Sequence, residues 1–105
     1  MKKNHKSKDI ILETLRNNQR KIRAFGVRKL GLFGSFLRQE QNEKSDIDFL
    51  VEFEIDKKTF DNFIQLSFLL EDALNHRVEL VTTESLSPYI GTHILKEVEY
   101  VTFSS

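Results

Sequence analysis

Cysteine is absent from the 105-residue chain. That removes disulfide frames, thiolate metal cages and a thiol nucleophile together. It also fits a reducing compartment, so a cytoplasmic location is expected. An excess of charge of either sign is missing too, because sixteen Lys and Arg balance sixteen Asp and Glu. The balance gives no electrostatic footprint for nonspecific nucleic-acid binding, and no direct nucleic-acid partner is expected. No apolar run approaches the roughly 20 residues of a membrane span. The start, MKKNHKSKD, leads into no apolar stretch of secretory type. Internal repeats and low-complexity linkers are lacking, and His5, His76 and His93 fall at no metal-binding spacing.

What is present reads as one small folded domain over residues 1–105. Hydrophobic residues make up 39% and charged residues 30%, which is a globular balance rather than a disordered one. Lys and Arg crowd the first thirty residues (Lys2, Lys3, Lys6, Lys8, Arg16, Arg20, Lys21, Arg23, Arg28, Lys29). They form either a solvated helix face or a surface for a partner or phosphate.

Apolar residues at three- to four-residue steps, Ile11, Leu15, Ile22 and Phe25, predict a helix over 8–24. Ser7 caps it and Gly26 ends it. A strand over 27–33 follows, in which Gly31 marks a bulge or a close backbone approach. Gly34-Ser35 then turns into a short helical piece, FLRQE, and a polar loop over 39–45. Residues 46–53 alternate as a strand, with Ile47, Phe49, Val51 and Phe53 on one face. Asp46, Asp48, Leu50 and Glu52 share the other, wet, face. A second helix over 58–75 is built around Phe60, Phe63, Ile64, Leu70 and Leu74. Phe68 and Leu69 widen its apolar arc, so it is either buried on two sides or offers surface to a partner. A third strand spans 77–82. Thr83 or Ser85 and then Pro88 lead into a last helix over 88–97, and Tyr100-Val101 adds an edge strand. Tyr89 and Tyr100 are read as core packing. The order αβαβαβα gives an α/β or α+β sheet with helices packed on it and the strand order open.

Asp46 and Asp48 stand two apart on a strand, about 6.6 Å at the backbone by the strand rise. Their side chains point the same way and can converge on one divalent ion or on two neighbouring ones. The plainer alternative is an ordinary wet strand face. Gly34-Ser35 adds a strand-to-helix turn where a bulky ligand can approach the backbone and where unpaired N–H groups favour an anion. The Ser hydroxyl donates to a phosphate oxygen, and Arg38, one turn on, offers a guanidinium fork. Glu79 is a third carboxylate if its strand lies beside 46–53. Otherwise it pairs with Arg77 or Lys96.

The pattern Gly-Ser, ten residues, Asp-x-Asp, flanked by LGLFGS and SDIDFLVEF, resembles the minimal nucleotidyltransferases (MNT) of the DNA polymerase β-like superfamily. The N-terminal helix before FGVRKLGLFGS, the VELVT strand and the SLSPYIGTHILKEVEYV tail follow the same layout, so the resemblance spans nearly the whole chain. It implies a small mixed sheet of the polymerase β palm type. It implies ATP bound at Gly34, Ser35 and Arg38, with Mg²⁺ held by Asp46, Asp48 and Glu79. The family more often has Asp where Glu79 stands, and a glycine where Gln39 stands. The resemblance further implies an antitoxin that transfers AMP to a tyrosine hydroxyl of a HEPN-domain ribonuclease toxin, forming a hetero-oligomer with it. Two alternatives remain beside a plain structural or interaction domain whose carboxylates are surface decoration. One is a binding-only antitoxin without turnover. The other is a small-molecule, antibiotic-type nucleotidyltransferase whose homo-oligomer builds the acceptor pocket between subunits.

Overall fold

Alternating apolar residues build the centre of the fold. The structure, a computed structural model, describes residues 7–103, and Lys2, Lys3, His5 and Lys6 lie outside the described residues. Strand β1 (Val27–Phe33) pairs antiparallel with β2 (Ile47–Phe53), Leu32 facing Phe49 and Phe33 facing Asp48. β2 pairs parallel with β3 (Val78–Thr82), and β4 (Glu99–Tyr100) adds antiparallel to β1. The described residues thus form a mixed sheet in the order β3-β2-β1-β4.

One face of this sheet carries the core. Ile47, Phe49, Val51 and Phe53 meet Ile11, Leu15 and Ile22 from the N-terminal helices and Leu66, Leu70 and Leu74 from a long helix, α4 (Phe60–Leu74). Burial of this cluster is the main favourable term in folding. The N-terminal helix differs from the expected single rod. It divides into α1 (Lys8–Asn17) and α2 (Gln19–Ala24) at Asn18. The Asn18 side-chain amide donates to the Thr14 carbonyl at 2.8 Å, and this local bond competes with helix continuation. Ser7 caps α1 through its hydroxyl, which accepts from the Ile10 N–H, and Gly26 ends α2 at φ +85°.

Other expectations are corrected by the second layer. Leu50, read as part of a wet face, is fully buried. A fifth helix, α5 (Pro88–Glu97), is followed by Val98, which packs over Gly31 beside Leu50, so the middle of that face is covered while Asp46, Asp48 and Glu52 toward its two ends stay partly exposed. Gly31 answers to a close approach: a Cβ there would lie 2.6 Å from Val98 Cγ2. The strand irregularity falls earlier, between Val27 and Lys29. Phe60, read as core, is 80% exposed, because α4 turns Leu66, Leu70 and Leu74 inward instead. Leu69 packs on the core, while Phe68 is exposed. Ser87, not Thr83 or Ser85, caps α5, its hydroxyl accepting from the Ile90 N–H. Tyr89 and Tyr100 both belong to the surface.

Candidate active site

The end of β1 makes the first half of the site. Phe33 is still extended, and Gly34 at φ +81° turns the chain at once into α3 (Gly34–Arg38). A residue with a side chain is strained at that φ. A side chain would also collide with the carboxylate of Asp48, which lies directly against Gly34. Ser35 is half-buried in the first turn of α3, and Arg38 closes the helix at the surface. Gln39 follows in the left-handed region, at φ 59° and ψ 41°. That conformation explains why glycine suits this position.

The neighbouring strands make the second half. Asp48 lies on β2 opposite Phe33 and beside Glu79 of β3, its register partner. The sheet order thus brings Gly34, Asp48 and Glu79 onto three adjacent strand ends. Burial, then the fields of Glu79 and Asp46, push the Asp48 carboxyl up to about 6. Asp46 precedes the strand rather than opening it, its neighbour Ile47 donating to the Arg77 carbonyl at 3.0 Å. Arg77, weighed above as a partner of Glu79, instead lies 3.1 Å from Asp46 Oδ1. The approach is too oblique for a hydrogen bond, and Oδ1 is buried without one.

The loop that delivers Asp46 is tied at both ends. His76 Nε2–H donates to the Ser45 carbonyl at 2.7 Å, and the ring stands edge-on to Phe36 of α3. Asn42 and Ser45 bond to each other across the turn. His76 therefore has a packing role that its sequence position did not reveal.

Whether Mg²⁺ suits these residues is a question of donor chemistry. Burial first, then two neighbouring carboxylates, raise the pKa of Asp48, and the buried Asp46 Oδ1 has Arg77 as an ion-pair neighbour but no hydrogen bond. Both features are relieved by a hard cation with oxygen ligands, so the residues fit it. Among the described residues no three acidic or imidazole groups already converge into a metal cage.

Beside the Gly34 turn opens a cleft of about 460 Å³, lined by Phe33, Arg38, Ile90, His93 and Ile94 and closed by Glu97. Glu97 was not singled out from sequence, yet it accepts from Gly34 N–H at 2.9 Å and from Arg38 at 3.0 Å. One signal was available: an acid in the last turn of a helix opposes the helix dipole and calls for a cationic partner. No helix among the described residues is long and apolar enough to cross a membrane.

Residues 8–103 match the family model described as polymerase beta, nucleotidyltransferase. The protein adenylyltransferase MntA of Thermococcus cleftensis is 47% identical over 77 residues, which are 73% of this chain and 77% of that protein. A solved structure provisionally assigned as a minimal nucleotidyltransferase superposes with a TM-score of 0.69 at 34% identity, over 84% of this chain and 93% of that one. A solved toxin–antitoxin complex with AMP-PNP gives a TM-score of 0.65 at 24% identity, over 86% of this chain and 74% of that one, a likeness of fold.

Proposed function

The chain belongs to the polymerase β-like nucleotidyltransferases, as one of their minimal members, and from that premise we propose that it transfers AMP from ATP to a tyrosine hydroxyl of a HEPN-domain ribonuclease toxin, silencing it as an antitoxin. The observation that carries the reading is the contact of Gly34 with Asp48, which sets a phosphate-binding turn directly against a carboxylate flanked by Glu79.

In this reading the Gly34 N–H, the Ser35 hydroxyl and the Arg38 guanidinium bind the triphosphate. Asp46, Asp48 and Glu79 would hold Mg²⁺, which when bound screens the phosphate charge and lowers the pKa of the acceptor hydroxyl. The acceptor oxygen forms a bond to the α-phosphorus as the bond to pyrophosphate breaks. The hydroxyl proton passes to the Glu79 carboxylate, the most exposed of the three acids. The protein forms no covalent intermediate; its groups position and screen charge, as phosphoryl transfer requires.

Two features support a protein acceptor. Phe60 and Phe68 lie two turns apart on α4, both largely exposed, and offer a partner an apolar seat. Tyr89, Ile90 and Leu95 on α5 are exposed as well. The deciding experiment is mass spectrometry of the partner after co-expression, with an added AMP mass on a tyrosine as the expected result. Asp46→Ala combined with Asp48→Ala should abolish the transfer and leave the fold intact. Labelled AMP still reaching the partner with that double variant would show the mechanism to be wrong.

A further inference from the structure

Two of the three donors assigned above to the triphosphate are already engaged by an anion of the chain itself. Glu97 Oε2 accepts from the Gly34 N–H at 2.9 Å, 63 residues away in sequence. Arg38 Nη1 lies 3.0 Å from both Glu97 oxygens. The Glu97 side chain is only 28% exposed and stands in the wall of the cleft. A carboxylate held by a backbone N–H and by one guanidinium nitrogen takes up donors that a phosphate group would use, in charge-assisted hydrogen bonds. Glu97 also sits in the last turn of α5, where the helix dipole repels it, so these two donors account for its place.

We propose that Glu97 is an internal competitor of the triphosphate, seated on Gly34 and Arg38 until ATP displaces it. The proposal rests on the nucleotide reading of those two residues. Displacement is a side-chain swing. The next residue, Val98, packs over Gly31, and β4 pairs with β1, so the backbone at the end of α5 is fixed. Arg38 stays oriented when Glu97 leaves, because its Nε also donates to Glu40 at 3.1 Å. The consequence is a lowered apparent affinity for ATP, reduced by the fraction of molecules in which Glu97 is already away. It also follows that compounds lacking phosphates do not meet this competition.

The test uses the full chain and two readouts. Glu97→Ala should bind Mg-ATP roughly three- to tenfold more tightly than wild type by calorimetry, with adenosine binding unchanged. Removing any nearby negative charge would also tighten ATP binding, so the second readout follows the competitor itself. The ¹³C resonance of the Glu97 carboxyl, assigned by its loss in Glu97→Gln, should shift on titration with ATP and with inorganic tripolyphosphate, and stay in place with adenosine. If ATP binds wild type while that resonance stays put, or if Glu97→Ala binds no more tightly, the competition is overturned and the nucleotide reading stands. If neither wild type nor Glu97→Ala binds ATP, both fall together.

Discussion

Gly34 and Asp48 touch across adjacent strands with no room for a methyl group between the glycine Cα and the carboxylate. Two costs therefore add in Gly34→Ala. The left-handed backbone at φ +81° costs about 1–2 kcal/mol, and Asp48 must move. We expect a lowered thermal midpoint and loss of Mg-ATP binding. In an Asp48→Ala background the collision with the carboxylate is gone and only the Cβ of residue 48, at 3.2 Å, stays close, so the same glycine substitution should cost much less, its backbone share plus a small adjustment of that Cβ. A double-mutant cycle by urea unfolding measures the difference. Equal costs in both backgrounds would mean that the glycine serves the turn alone.

Asp48 makes stability depend on pH in a stated direction. Its folded pKa, about 6, lies above the ordinary carboxylate value of 3.8. The folded state therefore holds a proton that the unfolded state has lost between these two values. The stabilising contribution of the protonated group is full below the unfolded value and is lost as pH rises through the folded one. Asp48→Asn removes the titration. Without Mg²⁺ the variant should be more stable than wild type at pH 7, and the gap should close as pH falls toward 4. Urea unfolding of both proteins across that range checks the sign. Because Asp48 is half-buried, solvent screening keeps the gap modest.

Much of this arrangement was legible because strand alternation and capping are local. The β1 and β2 strands, the Gly34 turn and the span of α5 all follow from residues close together in the chain. Leu50 was misplaced because its burial depends on α5 and the chain beyond it, elements some forty residues away whose docking leaves no mark on β2. Asn18 broke a helix that the apolar period carried straight through, since period says nothing of a side chain bonding back to Thr14. Phe60 followed the apolar count but not the inward face of α4. Glu97 stayed invisible because its partners lie 63 and 59 residues earlier. Only its unfavourable place on the helix dipole hinted at them.

Gln39 sits in a left-handed conformation that glycine takes without strain. Gln39→Gly should stabilise the fold by about 0.5–1 kcal/mol, the relief of strain exceeding the added freedom of the unfolded chain. The Glu40 N–H, which donates to the Ser35 carbonyl at 2.8 Å, should stay protected from exchange, since the path of the turn is unchanged. Chemical denaturation of the two proteins measures the gain. A loss of stability instead would mean that the Gln39 side chain contributes contacts worth more than the strain.

Glu79 separates a working acid from a merely adjacent one. It is the register partner of Asp48, yet it is exposed, and Arg77, the cation closest to it in sequence, turns to Asp46 instead. Its charge helps raise the Asp48 pKa, so in the absence of metal it works slightly against folding. Glu79→Gln should therefore leave the thermal midpoint unchanged or higher while slowing AMP transfer on the order of 100-fold or more, the usual scale of a lost general base. Glu79→Asp, the residue more frequent in the family, should retain most of the transfer if a shorter carboxylate still reaches. The rate of AMP incorporation into the partner, followed beside a melting curve for each variant, tests both halves. A Glu79→Gln protein that transfers at the wild-type rate would reduce Glu79 to a surface acid and leave Asp46 and Asp48 to hold the site alone.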